Sequence, residues 1–148
     1  MDRKSGEQKV FEADSRFTKN VAEKCESGNY EQWERHNIEN PHFYDLMYLP
    51  QTGMYARLHF GGIEFDATRD ILNLMDDRDL YLTFFDKDFV VVGEAKLPSH
   101  RYNYFTGWME TNDGVALFVD NSLDENEKTE ELVLDIAVSY THLRAHET

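Results

Sequence analysis

Phe43-Tyr44-Asp45-Leu46-Met47-Tyr48-Leu49 leads into Pro50-Gln51-Thr52-Gly53 and out through Met54-Tyr55-Ala56-Arg57-Leu58-His59-Phe60. Two apolar and aromatic runs on either side of a turn that holds Pro and Gly predict a β-hairpin. Gly61-Gly62 ends it. A second hairpin follows the same plan: Leu80 to Phe85, the turn Asp86-Lys87-Asp88, then Phe89 to Lys96. Pro98 closes it, because proline lacks the N–H that a ladder needs. A third joins 104–110 to 115–119 through Thr111-Asn112-Asp113-Gly114. After the charged stretch 120–130, Leu132 to Ile136 reads as a last strand.

The segments between are less regular. Lys9-Val10-Phe11, behind the turn signal Ser5-Gly6, reads as one short strand. Residues 20–39 are polar, with Tyr30 to His36 as a short helix. Residues 63–79 form a longer connection, in which Ile71, Leu72, Leu74 and Met75 fit a helical turn or an irregular crossing.

Short strands joined by tight turns predict an all-β, antiparallel fold. The strands also fall into groups: 43–49, 54–60, 80–85 and 89–96 make one meander, and 104–110, 115–119 and 132–136 begin another. Four strands recurring at a period of about 50 residues is the spacing of propeller blades. A sandwich or barrel would share the pattern.

Composition bounds the function. The 148 residues are 41% hydrophobic and 14% aromatic, enough to build a core. The net charge of −14 argues against nucleic-acid backbones and anionic membrane surfaces as main partners. No apolar run approaches the roughly 20 residues of a membrane span, and no basic segment followed by an apolar one succeeds Met1. Cys25, the only cysteine, can close no intrachain disulfide.

Val138 to Thr148 resembles the translation of a sequencing-library adapter, so the natural chain is expected to run to Ala137. Setting that tail aside removes one Arg and one Glu and leaves the net charge unchanged. It also discounts a His142/His146 metal pair.

The ordered motifs carry a resemblance. Asn40-Pro41-His42-Phe43-Tyr44-Asp45 to Tyr48, followed by Met54-Tyr55-Ala56-Arg57, resembles the "NPxY…IYD…VYYR" hairpin of TolB-like six-bladed β-propeller lipoproteins of Gram-negative gut bacteria. That family has no known function. Phe84 to Glu94 is similar to its "ILDKDFKVIGE" hairpin, Leu97-Pro98 to Asn103 to its "FPxNTYN", and Thr111 to Val115 to its "TEEGLY". Lys9 to Phe17 looks like its "KYEAKSKYI". Two departures stand out: Tyr48-Leu49-Pro50-Gln51 replaces the usual turn, and Ala56 replaces a tyrosine.

The resemblance implies about one and a half blades of a six-bladed propeller. Residues 1–19 would end a preceding blade, 20–40 connect, 41–97 make a complete blade, and 98–137 a truncated last one. It also implies a secreted or cell-envelope location, with a lipid anchor on an N-terminal part outside this chain.

Several constellations bear on chemistry. Asp120, Ser122, Asp124 and Asn126 alternate like a calcium loop but lack its glycine and helices. His36, Glu39 and His42 cannot share a helix face across Pro41. Asp76, Asp77, Asp79, Asp86 and Asp88 read as turn formers. No nucleophile elbow, zinc-protease helix, P-loop or dinucleotide fingerprint occurs. No catalytic residue, metal site or cofactor is therefore expected.

In a propeller the innermost strands border the central channel. His42, Tyr44, Arg101, Tyr102, Tyr104 and Trp108 are the residues expected at a ligand-facing rim. Aromatic faces suit a sugar or peptide, and an arginine fork suits a carboxylate. The leading expectation is a non-catalytic binding or scaffold module for a protein, peptide or glycan. Two others stand beside it: a hydrolase or lactonase with a channel-bound metal, and a truncated piece with no function of its own.

Overall fold

The computed structural model describes residues 6, 8, 10–20, 23–25, 28–102, 107–112, 114–119 and 132–139. Strand β3 (Met54–Phe60) organises the first sheet. Its even-numbered residues Met54, Ala56, Leu58 and Phe60 share one face, and Tyr55, Arg57 and His59 share the other, as the period of two requires. Strand β4 (Leu80–Phe85) pairs antiparallel with it, from Tyr55 opposite Phe85 to Phe60 opposite Leu80. Strand β5 (Val91–Lys96) completes that side.

On the other side of β3 the expected strand 43–49 is broken. Strand β1 (His42–Phe43) sets Phe43 opposite His59, and β2 (Met47–Leu49) sets Met47 opposite Ala56. The edge therefore carries one more residue than β3 across this interval, which is a β-bulge. The bulge reverses the alternation. Phe43 faces the His59 side, while Met47 and Leu49 face the core. A second bulge, at Phe84/Phe85, lets β5 begin at Val91 rather than Phe89. Phe89 turns the chain there with a positive φ of 59°.

The second sheet holds β6 (Trp108–Glu110), β7 (Gly114–Phe118) and β8 (Leu134–Val138) in sequence order, all antiparallel. An isolated bridge joins Tyr102 to Val119. The last strand lies two residues later than expected, and Val138 pairs with Gly114. Val138 and Ser139 thus belong to the ordered sheet region, and Ser139 is buried. The remaining tail, 140–148, lies outside the described residues, as does the acidic stretch 120–131 with its calcium-like alternation.

The two sheets pack face to face. Leu49, Leu58, Leu82 and Phe84 of the first meet Val115 and Leu117 of the second in one buried cluster. A main-chain bond from Gln51 N to the Asn112 carbonyl (3.1 Å) ties the turns together at one end. The described chain is mostly β and antiparallel, and it closes no barrel.

The all-β expectation needs one amendment, because two helices join the sheets. Helix α1 (Tyr30–Glu39) is capped by Asn29, whose side chain accepts from Glu31 N at 2.8 Å. It ends at Asn40, which is extended because Pro41 follows. Helix α2 (Ile71–Asp77) starts under the Asp70 cap, which accepts from Leu72 N at 2.9 Å. A further correction concerns the short strand at 9–11. Val10 and Phe11 form no strand, and Lys9 is outside the described residues. Residues 10–20 instead cross the outer face of the first sheet as irregular chain held by side chains.

Candidate functional site

The bulge that splits β1 from β2 also aims Tyr44 into the seam between the sheets. Its amide donates to the Leu58 carbonyl at 3.0 Å. Its ring then meets His42, Phe60 and Trp108 edge-on, at centroid distances of 4.5, 6.0 and 4.5 Å. These are favourable quadrupolar arrangements. His42 is exposed, whereas Tyr44 and Trp108 are half-buried.

Arg78 borders this cluster. Its guanidinium carbon lies 4.5 Å from the Phe60 ring centroid, a cation–π distance. Nε donates to the Met75 carbonyl (3.1 Å) and Nη1 to the Asn37 carbonyl (3.3 Å), locking the C-terminus of α2 to α1. Partial burial, aided by Arg78, lowers the His42 pKa, so the neutral imidazole is favoured. Burial raises the Tyr44 phenol above its usual value, against the opposing pull of Arg78.

The second cluster is built on β8. Asp135 projects from the inner face beside Leu117 and accepts from Arg101 Nε (2.6 Å), Arg101 Nη2 (3.2 Å) and the Tyr102 hydroxyl (2.8 Å). The bonds from Arg101 and Tyr102 hold the Asp135 carboxyl below its usual range. Arg101 therefore spends its fork inside the chain rather than offering it to a carboxylate ligand.

Beside Tyr102, a narrow cleft runs between Phe60, Asp76, Arg78 and His100. Its cavity volume of about 10 Å³ holds about one water. His100, at φ 60°, sets its Nδ1 2.6 Å from Asp76 Oδ2 and its Nε2 3.7 Å from Asp77. A larger groove of about 410 Å³ lies between α1 and residues 65–71. Its arginines are already engaged, Arg35 with Glu39 (2.7 Å) and Arg69 with Asp77 (2.5 Å).

Five of the six expected rim residues are thus described, in two groups. His42, Tyr44 and Trp108 form one contact row, and Arg101 and Tyr102 converge on Asp135. Tyr104 lies outside the described residues. Arg78, Asp135 and the His100–Asp76 pair escaped sequence reading. The signal for Asp135 is a lone carboxylate at an inward position of an otherwise apolar strand. Asp86 is the turn former expected of it, accepting from the amides of Asp88 and Val90 at 2.8 and 3.0 Å.

His36, Glu39 and His42, which the sequence does not gather into a metal site, are separately occupied. His36 contacts the Asn40 amide (3.2 Å), Glu39 pairs with Arg35, and His42 packs on Tyr44. Among the described residues, no group of three or more His, Cys, Asp and Glu side chains converges as a metal site would require. Among the described residues, no helix is long and apolar enough to cross a membrane.

No family model matches the chain, and no curated protein is similar to it. Among solved structures, it is similar to a member of the DUF4221 family from Bacteroides vulgatus, with a TM-score of 0.57 and 17% identity. The likeness covers 72% of this chain and 30% of that one, so the chain spans about a third of the neighbour's length. At this identity the likeness shows a shared β-rich fold.

Proposed function

We propose that the chain is part of a TolB-like six-bladed β-propeller, with the first sheet as one blade and the second as most of the next. Its role is that of a non-catalytic binding or scaffold module of the cell envelope, with a protein, peptide or glycan as ligand. The observation that carries this reading is the aromatic row His42, Tyr44 and Trp108 at one end of the seam between two stacked antiparallel sheets. Half-buried aromatic rings at such a seam offer flat apolar faces with polar tips, the usual platform for a sugar ring or a peptide side chain.

The chain has two tryptophans, Trp33 on α1 and Trp108 at the seam. The indole N–H resonances of nitrogen-labelled protein therefore separate the rim from the rest of the surface, with Trp33→Phe giving the assignment. Titration with soluble oligosaccharides and short peptides is expected to move the Trp108 resonance and leave Trp33 in place. A Trp108 resonance that stays fixed across both ligand classes would overturn the rim reading.

A further inference from the structure

Residues 10–20 make neither helix nor strand, yet Phe11, Ala13, Arg16, Phe17 and Thr18 each contact the outer face of the first sheet. Arg57 Nη2 donates to the Ala13 carbonyl at 2.8 Å. Glu94 Oε1 accepts from two consecutive amides, Arg16 N at 2.5 Å and Phe17 N at 3.3 Å. Arg16 Nη2 returns a bond to the Val91 carbonyl at 3.1 Å. The Thr18 hydroxyl and His59 Nε2 share a bond of 2.9 Å. Phe11 packs on Phe89 and Phe17 on Tyr81, at centroid distances of 4.8 and 5.3 Å.

The sheet side of this contact is prearranged. His59 lies between the rings of Phe43 and Tyr81, at 4.7 and 4.9 Å, and Arg57 between those of Phe43 and Phe85, at 4.6 and 5.1 Å. Thr83 donates to the other Glu94 oxygen and fixes that carboxylate. The segment itself is held loosely. Val10, Phe11 and Phe17 keep 90%, 46% and 59% of their surface exposed. Beneath it, the buried Arg57 Nε and His59 Nδ1 have no hydrogen-bond partner among the described residues.

We propose that this face is a docking surface for an extended peptide. Residues 10–20 fill it in cis, and the same segment of a second copy of this chain fills it in trans. The second copy is the partner to which the chemistry commits. Each recognising group on the sheet, a guanidinium, a carboxylate, an imidazole and two aromatic rings, already has its complement in this one sequence. The segment joins α1 through a polar stretch containing Gly28 with no helix or strand among its described residues, so it can leave without disturbing either sheet. Linkage in cis gives a high effective concentration, so exchange in trans grows with protein concentration. This surface lies on the face opposite the Tyr44–Trp108 seam and does not depend on the rim reading.

The test uses the full chain and a fluorescent synthetic peptide of residues 10–20, followed by anisotropy. Wild type is expected to bind weakly, because its own segment competes. Phe17→Ser with Thr18→Ala weakens the competitor and leaves the face intact, so peptide affinity is expected to rise about tenfold or more. Adding Glu94→Gln, which leaves one acceptor oxygen for three donors, is expected to reverse the gain. Equal affinity in wild type and the Phe17/Thr18 variant overturns the proposal, as does indifference to Glu94→Gln. If the variant fails to fold, hydrogen exchange on wild type decides. Arg16 and Phe17 amides exchanging about tenfold or more faster than the β3–β4 ladder support a detachable segment, and exchange at the ladder's own rate refutes it.

Discussion

The Tyr44 ring meets the Trp108 indole at 68° with centroids 4.5 Å apart, and this contact joins the bulged edge of one sheet to the first strand of the other. Both rings belong to the fringe of the buried cluster. Trp108→Ala should cost about 3 kcal/mol, and Tyr44→Leu about 1 kcal/mol. In a double-mutant cycle by urea unfolding the pair should show about 1 kcal/mol of coupling. Additive effects would mean that the rings pack independently.

His59 should make stability fall in mild acid. Its side chain is fully buried, and that burial lowers its pKa to about 4, with Arg57 assisting and Glu94 opposing. Above the ordinary histidine pKa of about 6.5 both folded and unfolded chains hold it neutral, so its contribution is intact. Between there and about 4 the unfolded chain takes up a proton that the fold refuses, so stability is lost as pH falls. The full effect approaches ~3 kcal/mol. Chemical denaturation from pH 7 to pH 4 of wild type and His59→Gln measures it. The variant's curve should be the flatter by that amount.

Two glycines should respond to alanine with opposite signs. A Cβ at Gly62 would collide with the Glu39 carbonyl, where the end of α1 lies against the chain leaving β3. Gly62→Ala should therefore destabilise by about 2 kcal/mol. Gly93, in β5, has open space among the described residues where its Cβ would stand. Gly93→Ala should stabilise by about 0.5 kcal/mol by restricting the unfolded chain. Thermal unfolding of the two variants beside wild type reads both signs.

The Arg101–Asp135 pair should contribute little, despite its bidentate geometry. The two side chains are 43% and 33% exposed, so solvent screens them. Arg101→Ala and Asp135→Ala should couple by about 1 kcal/mol or less, and the coupling should vanish in about 1 M salt. Coupling that survives salt would show a far drier site than the exposures indicate.

Much of the strand plan was legible because it rests on local pattern. Strands β3 and β4 fall on the expected residues 54–60 and 80–85, since alternation and flanking turns agree there. The break in 43–49 was hidden, because apolar and aromatic residues occupy both faces of that edge and alternation marks no phase. The later bounds of β8, 134–138, were hidden because Val138 reads as part of the tail, while the apolar Leu132 and Val133 are exposed and lie outside the strand. Val10 and Phe11 do not form the strand expected at 9–11 for a related reason: Phe11 is apolar because it packs on Phe89, not because it belongs to a ladder of its own, and Val10 stays 90% exposed. Of the rim residues, the Tyr44–Trp108 contact depends on the bulge that the sequence does not mark, and Arg78 depends on how α2 folds back over Phe60.

The bulge at residues 44–46 has an effect on self-association. An uninterrupted edge strand offers a row of free amides and carbonyls on which a foreign strand can grow, the first step toward amyloid. Here the outer border of β3 is divided between two short strands, out of phase with each other, with Asp45 exposed at the break. An incoming strand in register with His42 and Phe43 would be out of register by the time it reached Met47. The same extra residue that aims Tyr44 into the seam therefore guards this edge against templated fibre growth.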